Sequence, residues 1–82
     1  MFSVLLFNDE RTPMEFAVEV LERFFGKDCE IATTTKFQIH HSGAAVCGSY
    51  TRQEIAEAKV SEVSNFASQN QHPLQCVMSK NK

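Results

Sequence analysis

Two short clusters carry the residue types that could do chemistry. An amide and two acids stand in a row at Asn8-Asp9-Glu10, and two imidazoles follow one another at His40-His41. Amide oxygens, carboxylates and unprotonated ring nitrogens are all hydrogen-bond acceptors, so together they could satisfy an ammonium. The first cluster interrupts an apolar run, Val4 to Phe7, and sits just before Thr12-Pro13-Met14-Glu15, which reads as a helix start. On these residues alone two readings stand. The acids could form a solvated turn that complements the positive end of a helix dipole, or they could line a pocket that captures a cation.

Other chemistries find less support. A zinc site needs three or four ligands at suitable spacing, whereas His40, His72, Asp9 and Cys47 are scattered, with no HxxxH or CxxC. A Cys–His nucleophilic pair is equally weak, because Cys47 and Cys76 each lie in an apolar, strand-like run where free Cys behaves as a small hydrophobe. The three glycines are isolated and make no phosphate-cradling loop. Nothing in this pattern indicates an enzyme or a cofactor. Lys36, among Thr33 to Thr35 and Phe37, is either a solvated lysine on an outer helix face or one that lays its stem along apolar surface.

The elements that must position these groups follow from periodicity. Phe2 to Phe7 reads as a buried strand bounded by Asn-Asp. Thr12 is expected to cap the first helix, with Pro13 at its first position and Glu15 completing a capping box. Met14, Ala17, Val18, Leu21, Phe24 and Phe25 give that helix one apolar face, and Gly26 ends it. Asp28 caps a second helix running to His41 and closed by Ser42-Gly43, across a Thr33-Thr34-Thr35 triplet that suits a helix poorly. Ala44 to Tyr50 reads as a strand with Gly48 as a bulge or point of close approach. Thr51 to Glu54 form a second capping box, opening a helix to about Asn70 with Ile55, Ala56, Val60, Val63, Phe66 and Ala67 facing inward. Gln71-His72-Pro73 breaks it, and Leu74 to Met78 forms the last strand. The expected fold is a small α+β domain of order β-α-α-β-α-β: a three-stranded antiparallel sheet packed against three helices, since neither layer can bury its apolar face alone.

The whole chain bounds the answer further. At 82 residues it is a single domain spanning 1–82, with no room for a second core. Its net charge of −2 and the absence of a basic patch argue against nucleic acid. No apolar stretch approaches a membrane span, and the N-terminus lacks the regions of a signal peptide. Three cysteines without paired spacing fit a reducing, cytoplasmic setting.

At this point the chain resembles the ClpS family of Clp protease adaptors, which recognise N-degrons. The resemblance rests on "LLFNDERTPMEFAVEVLERFF", on "HHSGAAVCGSYT" followed by "EIAEAKV", and on "HPLQCVM". It implies a non-enzymatic adaptor that binds the free α-amino group and large hydrophobic first residue of a substrate (Phe, Trp, Tyr or Leu) and delivers it to a AAA+ unfoldase, ClpA, working with ClpP. By family position, Asn8 and His40 hydrogen-bond the α-amino group, and Asp9 or Glu10 holds its charge. An ammonium offers only donors, so such a pocket must supply acceptors, and a blocked chain end cannot replace it. The pit for the first side chain would be walled by Leu6, Phe7, Thr12, Met14, Ala17, Lys36, Ile39 and Leu74, with Met14 guarding against β-branched residues. Burying a Phe or Leu there is worth about 1.5–3 kcal/mol, and each charge-assisted hydrogen bond about 1.5–3 more. After ordering costs, affinity of the order of low micromolar or tighter is expected. The unfoldase contact would use Arg11, Glu54, Glu57 and Lys59.

The chain departs from the family pattern at Glu10, usually Asp, at Lys36, commonly Met, and at Ala17, commonly Val. Ala17 widens the pit and Lys36 adds a cation near its wall, so the expectation is a shift toward aromatic first residues over Leu, with a cation–π contact as one cause. These features resemble a second, specialised copy of the adaptor of the kind found in α-proteobacteria. The family's flexible N-terminal extension serves delivery, and this chain starts almost at its first strand, so the expectation is binding without assured delivery. A monomer is the default for an adaptor. A reading from another class is a protein-interaction domain similar to the C-terminal domain of the ribosomal stalk protein, which has no need of the Asn8, His40 and acid constellation.

Overall fold

A computed structural model describes residues 1–80. Among these, the elements run β1 (Phe2–Phe7), α1 (Met14–Phe25), α2 (Cys29–Ser42), β2 (Ala44–Tyr50), α3 (Gln53–Gln69) and β3 (Gln75–Lys80). The order is the expected one. The strands form an antiparallel sheet in the order β2-β1-β3, so the first strand is central and pairs on both sides. That position explains its continuous apolar character: Val4 and Leu6 are fully buried, and Leu5 and Phe7 half-buried.

The β1–β2 register slips between Val4, which faces Gly48, and Leu5, which faces Val46. Cys47 falls in the gap, and the extra residue bends the strand. Gly48 is needed there for space as well, since a Cβ would meet the Tyr50 hydroxyl at 2.9 Å and Phe25 Cδ1 at 3.2 Å.

Helix ends show where local chemistry behaves as expected and where it does not. Asp28 caps α2, its Oδ1 accepting the Ile31 N–H at 2.8 Å. The threonine triplet is accommodated because each hydroxyl donates to the carbonyl four residues back, at 2.8, 3.1 and 2.9 Å. The two expected capping boxes do not form. A turn closed by Thr12 N–H to the Asp9 carbonyl (3.0 Å) carries the chain one residue further, so Pro13, with φ −62° and ψ 143°, takes the cap position of α1 and offers no side-chain acceptor. In α3 the cap falls to Arg52, again with no side-chain bond, and the amide of Gln53 donates instead to Glu57 at 2.9 Å.

The core gathers Val4, Leu6, Phe16, Val20, Leu21, Ile39, Val63 and Cys47 between sheet and helices. The α1 stripe read from periodicity omits Phe16 and Val20, which are buried, while Met14, Val18, Phe24 and Phe25 are half-buried. The cause is that α1 packs against α2, α3 and β2, so more than one of its faces is covered. Phe16 stacks on Phe66 of α3, centroids 5.3 Å apart at 9°, and meets the His72 ring at 4.4 Å. Ile55, expected inward, is 43% exposed. The last strand begins one residue later than expected and runs to Lys80, leaving Leu74 buried just ahead of it.

Candidate functional site

The seam between β1 and α1 is tied to the end of α2 by backbone bonds. Gly43 ends α2 in the left-handed conformation (φ 86°), its N–H donating to the Ile39 carbonyl at 2.9 Å. The Gly43 carbonyl in turn accepts the Asn8 N–H at 2.8 Å, directly after the last β1–β2 pair, Phe7 with Ala44. This stitch sets residue 8 against the last turn of α2. His40 lies in that turn, and so the two clusters that are distant in sequence meet.

They meet around a cavity of about 360 Å³ lined by Asn8, Asp9, Glu10, Thr12, Pro13, Met14 and His40. Each of its polar side chains can offer an acceptor, and its lining also includes the apolar residues Pro13 and Met14. The turn holding the acids is organised from within, because Asp9 Oδ1 accepts the Arg11 N–H at 2.9 Å. That bond, more than any other contact, holds the Asp9 carboxyl below its ordinary pKa; the little burial it has works the other way, and the Arg11 guanidinium, with Nε at 3.5 Å, adds to the lowering. The first cluster therefore offers a negative charge, Asp9, that survives acidification better than a free carboxylate. Pro13 is a wall residue that sequence reading assigned only to starting the helix; its place between Thr12 and Met14 was the available signal.

The other expected pocket residues fall outside the lining of this cavity. Leu6, Ala17 and Ile39 are 0% exposed and belong to the core. Phe7 is half-buried in β1. Leu74, 6% exposed, lines a neighbouring hollow of about 540 Å³ with Arg11, Ser64, Ser68, His72 and others, a hollow that shares Asp9 with the first. Lys36 is half-buried, and its Nζ stands 4.9 Å from the centroid of the adjacent Phe37 ring. Of the residues expected at an unfoldase contact, Arg11 is on the loop with its side chain 79% exposed. Glu54 pairs with Arg52 at 3.6 Å, Glu57 accepts from Gln53, and Lys59 pairs with Glu62 at 3.8 Å, all on the first half of α3.

Known proteins share this chain's sequence pattern and fold. Residues 1–77 match the family model described as ATP-dependent Clp protease adaptor protein ClpS. The chain is 55% identical over 80 residues to ClpS 2 of Bradyrhizobium diazoefficiens, covering 98% of this chain and 72% of that protein. ClpS 1 of Agrobacterium fabrum is also 55% identical over 80 residues, with 98% of this chain and 68% of that protein covered. The fold superposes on the solved structure of Agrobacterium tumefaciens ClpS2 bound to L-phenylalaninamide with a TM-score of 0.92 at 28% identity, over 98% of this chain and 95% of that one.

Proposed function

The chain belongs to the ClpS family of ATP-dependent Clp protease adaptor proteins, and from that premise we propose that it captures the free α-amino group and large hydrophobic first residue of N-degron substrates for a AAA+ unfoldase of the Clp protease. The observation that carries this reading is the convergence of Asn8, Asp9, Glu10 and His40 on one cavity whose other wall includes Pro13 and Met14. Acceptors around an apolar wall match a chain-terminal ammonium attached to an apolar side chain. L-phenylalaninamide, the ligand of the solved neighbour, has that chemistry: a free amine, a benzyl group and a blocked carboxyl.

The roles follow from donor counting. The ammonium carries only donors and must find acceptors once water is displaced. Asn8 supplies an amide oxygen and Asp9, with Glu10 beside it, supplies the countercharge. His40 accepts only through an unprotonated ring nitrogen. Binding is therefore non-catalytic: no bond in the substrate is made or broken. Thr12 and Met14, which line the cavity, border the first side chain, and Leu6, Phe7, Ala17, Lys36, Ile39 and Leu74 complete the proposed pit from outside that lining. ClpA, with ClpP, is the unfoldase partner in this reading, met through Arg11, Glu54, Glu57 and Lys59 in the cytoplasm.

The test is substitution of His40 and Asn8 by Ala, read by anisotropy with a fluorescent Phe-first peptide. His40 is exposed, so the fold should survive, with an unchanged far-UV circular dichroism spectrum. Each substitution is expected to weaken binding by about 10- to 100-fold, the value of one hydrogen bond to a charged group. Unchanged affinity in both variants contradicts the assignment.

A further inference from the structure

Thr12 lines the amine cavity, is 3% exposed, and its Oγ1 has no hydrogen-bond partner; it is the buried side-chain oxygen or nitrogen left unpaired among the described residues. Its sequence context would ordinarily give that hydroxyl a partner at the start of α1. Because the Asp9–Thr12 turn is followed by a cap at Pro13, the hydroxyl makes no bond at the helix start and stays unpaired on a residue that lines the cavity. Buried hydroxyls without partners are uncommon in folded proteins, and each calls for an explanation. Here a ligand is at hand.

Building on the amine-capture reading above, we propose that the Thr12 hydroxyl is a specificity determinant that selects first residues with a polar tip, tyrosine foremost, over phenylalanine and leucine. A bound apolar side chain would fill the cavity and leave Oγ1 sealed and unpaired. A phenol can donate to Oγ1 or accept from its proton, and a threonine hydroxyl serves either role. Oγ1 itself is closed to solvent, so the proposal requires a step of χ1 between staggered wells that brings the hydroxyl to the ligand. Because Oγ1 is already unpaired before a ligand binds, an apolar first residue loses nothing there and a phenol gains a hydrogen bond, so the discrimination is a gain for tyrosine.

The experiment compares peptides identical except at residue one, Tyr, Phe, 4-methylphenylalanine and Leu, each with a free and an N-acetylated end, on the native chain and on Thr12→Val and Thr12→Ser. The native protein should bind the Tyr-first peptide about tenfold more tightly than the Phe-first one. 4-Methylphenylalanine, which has the length of tyrosine without its hydroxyl, should rank no better than Phe. Thr12→Val should bring the Tyr/Phe ratio close to one chiefly by weakening Tyr, and Thr12→Ser should keep the preference. Equal binding of Tyr and Phe by the native protein, or a Tyr preference matched by 4-methylphenylalanine or preserved in Thr12→Val, overturns the proposal while acetyl-sensitive binding leaves the amine reading standing. Binding to none of the free-amine peptides overturns the amine reading, and this proposal with it. The native-protein arms decide the matter even where a Thr12 variant fails to fold.

Discussion

At the scale of single residues, the surroundings set the ionisation of Asp9 at the candidate site and of two buried thiols. Asp9 is kept anionic first by the Arg11 backbone N–H, so its contribution is present through the neutral range and is lost only as pH falls below the ordinary carboxylate value of 3.8. The buried thiols show the opposite sign. Burial pushes Cys47 up to about 12 and Cys76 up to about 11 from an ordinary 9.0, with each thiol kept neutral in the folded core. Folding therefore opposes their ionisation. The stability they contribute is fully present below about pH 9, falls as the unfolded chain alone loses its protons, and is lost once pH passes the folded values. We expect the urea midpoint to drop between about pH 8 and about pH 10.5, and less steeply in Cys76→Ala. Over the same experiment a thiol reagent at neutral pH should label exposed Cys29 in the native protein and reach Cys47 and Cys76 only on unfolding. A flat midpoint, or three thiols titrating at one rate, contradicts this.

Among the elements, the decisive one is the end of α2. Gly43 has open space around its Cα, so its requirement is conformational: a φ of 86° that a side chain resists. Gly43→Ala should cost about 1–2 kcal/mol in chemical denaturation, the left-handed penalty, and Gly43→Asn clearly less. Because the Gly43 carbonyl holds Asn8, the Ala variant should also weaken peptide binding more than its stability loss explains; an Ala variant as stable as the native chain contradicts the role given to this cap. Much at this scale was legible in sequence. The strand Phe2–Phe7, the Asp28 cap, the Gly26 and Gly43 stops and the bulge near Gly48 all follow from composition and spacing. What was not legible depends on tertiary context. Thr12-Pro13-Met14-Glu15 and Thr51-Arg52-Gln53-Glu54 are good capping boxes in isolation, but each helix starts one residue later than they require, behind the Asp9–Thr12 turn in the case of α1, and both are disengaged. Likewise, a single apolar stripe cannot describe α1, which is covered on more than one side and buries Phe16 and Val20 beyond it.

For the whole molecule, the sheet and helices act as a frame that holds the candidate cavity at the junction of β1, α1 and α2. The acceptor cluster was visible in sequence at Asn8-Asp9-Glu10, but its partnership with His40 lies 32 positions away by residue number and is created only by the β1–β2 pairing and the Gly43 stitch. The unpaired hydroxyl of Thr12 had no sequence signal at all, since it exists because a cap is not made. Among the described residues no helix is long and apolar enough to cross a membrane. The measurement that tests the account most directly is the affinity of the native chain for one Phe-first peptide with its N-terminus free and then acetylated. The account predicts binding of the order of low micromolar or tighter for the free amine and its near-complete loss on acetylation, because the acetyl group removes both the positive charge and two donors. Equal affinity for the two peptides would mean that Asn8, Asp9, Glu10 and His40 do not receive an ammonium.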